Sequence, residues 1–269
     1  MSTQFPEEVT RYSEAELAKL IIEKSMEKLK RLVDIDVVIV GAGLAGLTAA
    51  WFLALNKLQV LVVDRSLRIP GAGEGGTLIF PVALIEEGSA AEIARNAGIT
   101  LYSGLKGIYV VDPVEAVLKI GSKAVEAGAS IWLGVDVEDL ITRGRGEELE
   151  IKGVLIGLTR GYKGLRVNPI YVMSKATVDA TGYECRVIKT LLREHPEIKL
   201  RILGASSGNV WEAAREIVER TGMVLPGLYV TGLSVAELYN TSRTGPLIGA
   251  LLVSGRKVAI QIMEEVKSK

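Results

Sequence analysis

Apolar positions along the chain follow two rhythms. Leu17, Leu20, Ile21, Leu29, Leu32 and Val33 keep helical spacing with charges between them, and Ser13 followed by Glu16 is a capping-box pattern. The spacing predicts an amphipathic helix over 14–33 that must bury one face, on its own domain or on a neighbouring subunit. Residues 1–12 read as a loose leader. At Asp36–Val40 the rhythm changes to a short apolar run, read as a strand. Gly41–Gly46 is a turn, Leu47–Leu55 an Ala-rich helix, and Gln59–Asp64 a second strand.

Further on, 90–97 is helical, and Ile99–Val111 reads as two short strands around Ser103–Lys106. Asp112 starts a helix running to Ala127, and Ser130–Val135 is another strand. Leu149–Leu158 and Ile170–Asp179 alternate or run apolar, as strands do. The Arg/Glu run 143–148 reads as a solvated hairpin tip. Segments 186–194 and 209–221 are helical, Leu228–Thr231 is a late strand, and Pro246–Glu265 is a closing helix. The expected fold is a single three-layer α/β domain over 1–269. It has a Rossmann-type dinucleotide-binding (FAD/NAD(P)-binding-like) start and a smaller β-rich portion from about 135 to 180.

Composition narrows the function. The chain has 269 residues, of which 48% are hydrophobic and only 5% aromatic, so aliphatic packing around a sheet buried on both faces is expected. Lys plus Arg equals Asp plus Glu at 32 each, which leaves no positive field for nucleic acid or an anionic membrane. No signal peptide or bilayer-length apolar run is visible. One cysteine, Cys185, excludes an internal disulfide and Cys-rich zinc sites, and a reducing cytoplasm is the expected home. The single histidine, His195, stands before Pro196 at an expected helix end and reads as a solvated or capping residue.

The strongest chemical signal is Gly41-Ala42-Gly43-Leu44-Ala45-Gly46 between a strand and a helix. Gly41 permits the tight turn, Gly43 lets a pyrophosphate approach the backbone, and Gly46 lets helix and strand pack closely. The helix N-terminus offers free N–H groups to the anion. Asp64 closes the next strand eighteen residues beyond Gly46, where a ribose-hydroxyl acceptor belongs. A second glycine-rich loop, Gly71–Gly76, could also line a phosphate or be a surface loop. The late Gly232 is followed by Leu233 and Ser234, not by the Asp that flavoproteins of this layout place there, so FAD is disfavoured against NAD. Cys185 reads as a small packed residue. Arg243 reads as a buried arginine that either forks onto a substrate carboxylate or forms a structural ion pair.

Together these landmarks resemble the Thi4 family of thiamine thiazole synthases, whose archaeal members are also labelled ribose-1,5-bisphosphate isomerases. The likeness is closest at Asp36–Gly46, Gly134–Leu140, Val178–Gly182 and Pro226–Gly255, including Arg243-Thr244-Gly245-Pro246-Leu247-Ile248-Gly249-Ala250. The resemblance implies that NAD is a substrate, its ADP-ribose part being joined to glycine and sulfur as an adenylated carboxythiazole. It implies an octamer packed through the N-terminal helix. It also implies that Asp64 and Arg65 hold the adenosine ribose, that Ala45 and Ala72 lie by the diphosphate, that Val137 touches adenine, and that Leu233 and Arg243 receive the glycine part.

The chain departs from the family where sulfur and iron are handled. Arg166-Val167-Asn168-Pro169 stands where the family has Cys or His, one residue, then Asp-Pro, and Arg166 has neither sulfur nor a proton to lose. The His after the Thr-Gly turn is Tyr183, followed by Glu184 in place of Asp. Asn168 and Tyr183 are thus the family's iron-ligand positions with weaker donors, so no metal site is expected. Three readings remain open. The first is a thiazole-synthase-type enzyme with altered catalytic positions (Arg166, Asn168, Tyr183), or a paralogue that has lost that chemistry. The second is an FAD- or NAD-dependent oxidoreductase. The third is a nucleotide-binding protein without turnover. A homo-oligomer is expected on the resemblance alone.

Overall fold

The computed structural model describes residues 6, 11–69, 81–158 and 169–268. Strand β1 (Asp34–Val40) leads through the Gly turn into α2 (Leu44–Leu55) and back to β2 (Val60–Asp64), parallel to β1 with Val37 opposite Val60 and Val40 opposite Val63. Helix α1 (Glu14–Leu32) precedes them. Its capping box is formed: Glu16 N–H donates to Ser13 Oγ at 3.3 Å and Ser13 N–H to Glu16 Oε2 at 2.8 Å. The α2 helix begins at Leu44, three residues before the sequence pattern suggests, because the glycines form its N-terminal turn and Gly43 is its N-cap.

Next come β3 (Ala83–Glu86), α3 (Ser89–Ala97), β4 (Tyr102–Ser103), β5 (Ile108–Val111), α4 (Pro113–Glu126), β6 (Ser130–Leu133), β7 (Val135–Arg143), β8 (Glu150–Leu158) and β9 (Ile170–Asp179). The chain ends with α5 (Arg186–Glu194), α6 (Val210–Arg220), β10 (Gly222–Leu225), β11 (Leu228–Val230), α7 (Leu233–Tyr239) and α8 (Gly249–Ser268). The expected strand at 130–135 is two strands, broken at Gly134, whose φ of +74° turns the chain.

The main sheet runs β10-β11-β9-β1-β2-β6, parallel except for the edge strand β10. One edge of β9 is shared along its length: Ile170–Met173 pair antiparallel with β8, and Thr177–Asp179 pair parallel with β11. The β-rich stretch 135–180 is therefore continuous with the main sheet through the β7–β8 hairpin. A separate three-stranded sheet, β3-β5-β4, is built from 83–111.

Alternation along β1 sorts the core into two layers. Val37 and Ile39 pack with α2, α3, α4 and α8 on one face. Val38 and Val40 pack with the β7–β8 hairpin, α5 and α7 on the other. Every α2 residue except Phe52 and Leu55 is buried, which explains its nearly uniform hydrophobicity. The chain runs to β2 on one side of β1 and reaches β9 on the other, so a topological switch point lies beyond Val40, where such sheets bind ligands.

Candidate nucleotide site at the strand ends

Strands β1, β2, β9 and β11 end side by side at Val40, Asp64, Asp179 and Val230. Backbone bonds tie the exits together: Gly41 N–H to Val63 O at 2.8 Å, Ala180 N–H to Val40 O at 2.9 Å, and Thr231 N–H to Asp179 O at 3.1 Å. Gly41 has φ +111°, and a Cβ there would lie 2.3 Å from Ala180 O, so both conformation and space require glycine. A Cβ on Gly46 would lie 2.1 Å from Gly41 O. Gly43 differs: its φ is −79°, and a Cβ there would meet none of the described residues within 4 Å. It faces open space at the head of α2, whose N-cap has no side-chain hydrogen bond. The first-turn N–H groups are therefore available to an anion.

Asp64 is braced by its own turn. Its Oδ2 accepts from Ala42 N–H and its Oδ1 from Ser66 N–H, both at 2.8 Å. Each oxygen keeps a further lone pair, so the carboxylate can still receive ribose hydroxyls. Ala45 lies beside Gly232, where an added Cβ would come 2.7 Å from Ala45 Cβ, and Leu233 follows at the start of α7. The structure thus gathers Gly41, Gly43, Ala45, Gly46, Asp64 and Leu233 at one crevice. Val137 is buried in the opposite hydrophobic layer. Ala72 and the Gly71–Gly76 loop, with Arg166 and Asn168, lie outside the described residues.

The turn after β9 was less legible in the sequence. Asp179 is fully buried and accepts from Thr181 N–H at 3.0 Å, Thr181 Oγ1 at 2.7 Å and Ile188 N–H at 3.1 Å. The Ser234 hydroxyl reaches the same carboxylate at 3.0 Å. Thr181 Oγ1 in turn accepts Arg186 N–H at 2.8 Å. These bonds hold Cys185 in a left-handed conformation (φ 47°), which costs a non-glycine residue about 1–2 kcal/mol. Cys185 is buried as expected; its Sγ lies 3.7 Å from Ser234 O, and burial pushes the thiol pKa up, away from reactivity. His195 C-caps α5, as expected, with its ring 3.2 Å from Glu197 Oε1.

A chain of contacts crosses this turn. Arg65 pairs with Glu184; Arg186 pairs with Asp136 at 2.6 Å and lies 3.8 Å from Glu184. Next to Glu184, the Tyr183 ring lies under the Arg243 guanidinium, 5.7 Å from its carbon to the ring centroid. Arg243 is exposed, not buried as its sequence context suggests. Its backbone N–H is tied to Ser207 O at 3.0 Å, and the buried neighbours Ser242 and Thr244 anchor the segment while the side chain projects outward. Burial raises the Tyr183 phenol above its ordinary value, and Glu237 adds to the shift while Arg243 and Thr244 oppose it. A neutral phenol beneath a guanidinium is a poor partner for a metal dication, and among the described residues no three His, Cys, Asp or Glu side chains cluster as metal ligands.

Comparison with known proteins agrees with this architecture. The Thi4 family model matches residues 18–248. A thiamine thiazole synthase of Sulfolobus acidocaldarius is 39% identical over 95% of this chain and 96% of its own. One from Archaeoglobus fulgidus is 39% identical over 97% and 99%. The crystal structure of Thermovibrio ammonificans THI4 superposes with a TM-score of 0.90 at 34% identity, covering 96% of this chain and 99% of that one. A geranylgeranyl bacteriochlorophyll reductase-like protein of Thermoplasma acidophilum shares the fold at a TM-score of 0.57 and 15% identity, covering 87% of this chain and 79% of its own.

Proposed function

The chain belongs to the Thi4 family, and from that membership and the geometry of the strand ends we propose that it binds NAD or an adenylated derivative of it. The diphosphate lies against Gly41–Gly46, the adenosine ribose on Asp64 and Arg65, and a small carboxylate such as glycine is received at Arg243. The observation that carries this reading is the space over Gly43, free of the described residues, beside a carboxylate already braced by the same turn. The name thiamine thiazole synthase borne by relatives of nearly full length supports an enzyme of that type. Within it, Arg166, Asn168 and Tyr183 occupy the positions that handle sulfur and iron in the family. Tyr183, a neutral phenol under a guanidinium, does not fit an iron site, so this chain has kept the nucleotide site and exchanged the chemistry once built beyond it. With Leu233 and Ser234 after Gly232, the purified protein is expected to be colourless, without flavin absorption.

Helix α1 supports self-association. Leu17, Leu20 and Ile21, which share one helix face, are 49%, 52% and 67% exposed in the single chain. A stripe of that size is covered by a second copy of the chain, in an octamer on the family pattern.

Two measurements test the function. Mass spectrometry of the denatured protein identifies what copurifies; NAD or an adenylated compound is expected. Incubation with NAD, glycine, sulfide and Fe(II) without oxygen is expected to leave no adenylated thiazole. Thiazole formation overturns the exchange of chemistry, and absence of any affinity for NAD or ADP-ribose overturns the nucleotide site.

A further inference from the structure

Arg65 and Arg243 both reach the short turn Gly182–Glu184, and they are held in different ways. Arg65 is neutralised by Glu184. Arg243 pairs with no carboxylate among the described residues; what holds its side chain is the face of Tyr183, at 5.7 Å, inside the range of a cation–π contact. The stem below it is fixed by the bond to Ser207 O and by Thr244, 4% exposed. A free arginine side chain loses rotamer entropy when a ligand immobilises it. A ring that already carries one face of the guanidinium has removed part of that cost. It leaves the in-plane N–H donors open for a bidentate anion.

We propose that Tyr183 is a positioning residue: its ring presents the Arg243 guanidinium, stacked and unpaired, to the carboxylate of the small substrate that binds beyond the nucleotide. This rests on reading Arg243 as the carboxylate receiver. The ring face carries the guanidinium, and the hydroxyl is turned to Thr244 instead. An acid at the same place would pair with Arg243, as Glu184 pairs with Arg65, and close the anion site. Nearby Glu237 is engaged elsewhere, with Lys189 at 3.3 Å and Ala205 N–H at 3.2 Å.

The test is calorimetric titration of glycine, and of glycinamide as the uncharged control, into the NAD-saturated full-length protein. The variants are Arg243→Ala, Tyr183→Phe, Tyr183→Ala and Tyr183→Leu, the last keeping bulk without an aromatic face. Expected are near-unchanged glycine affinity in Tyr183→Phe and a loss of about tenfold in the Ala and Leu variants. Preference for glycine over glycinamide falls in step, and NAD affinity stays the same throughout. If Arg243→Ala loses glycine while Tyr183→Ala and Tyr183→Leu keep it, the positioning role is overturned and the carboxylate reading stands. Equal losses in Phe and Leu also overturn the ring's role. Failure of the wild type to bind glycine, or undiminished binding in Arg243→Ala, overturns the carboxylate reading and this proposal with it.

Discussion

The two ends of the crevice are built to different standards. At the β1–α2 turn the backbone leaves no slack: Gly41 and Gly46 each admit no side chain, and both Asp64 oxygens are held by neighbouring N–H groups. At the Tyr183–Arg243 end the groups are part-exposed and held by an aromatic face. Backbone geometry constrains the first end and side-chain identity the second. Residue 183 can therefore change without disturbing the fold, whereas almost nothing can change at 41 or 46.

That contrast can be broken most forcefully at Gly46. Gly46→Val places a side chain 2.1 Å from Gly41 O and should unfold the protein or cost more than about 3 kcal/mol in denaturant unfolding. A variant of wild-type stability would show that the turn has slack after all. Next in size is Asp64→Asn. Its amide nitrogen must face either Ala42 N–H or Ser66 N–H, donor against donor, and affinity for NAD should fall about tenfold by calorimetry.

A smaller effect lies away from the crevice. Among the described residues Glu86 Oε2 is buried without a hydrogen-bond partner, against the space over Gly249 and close to Ala90, and burial raises its pKa. The folded carboxyl keeps its proton to higher pH than the unfolded chain does. Stability is therefore lost as pH rises from the ordinary value of 4.5 through the raised one, and nothing is lost below it. Glu86→Gln should raise Tm by about 2–4 °C at pH 8 and leave it unchanged at pH 4. The smallest effect belongs to Glu184→Gln. The Arg65 and Glu184 side chains are 49% and 45% exposed, so the pair contributes under about 1 kcal/mol, and stability should move little and less still in high salt.

The first end was legible in the sequence because its chemistry is local. Strand, three glycines, helix and a following acid lie within Asp34–Asp64, and their spacing alone dictates the turn. The second end was not, because its contacts join distant segments: Arg65 with Glu184, Asp136 with Arg186, Tyr183 with Arg243. No periodicity brings such pairs together. Arg243 was read as buried from its small, apolar neighbours; the fold buries Ser242 and Thr244 and turns the side chain between them outward. Strands β3 and β10 and helix α7, at 4, 4 and 7 residues, carry too little periodicity to stand out, whereas the 3-residue β11 was marked by Gly227 and Gly232 on either side of it. The split of β6 from β7 depends on the backbone at Gly134 and was hidden in one apolar run.

The central claim is that the open space over Gly43 is where a diphosphate lies. Titration of ADP-ribose into the wild type and Gly43→Val tests it, since a Cβ there meets none of the described residues within 4 Å and the fold and Tm should stay intact. Saturable binding to the wild type and a loss of at least about a hundredfold in the variant are expected. Equal affinity in the two proteins would contradict it.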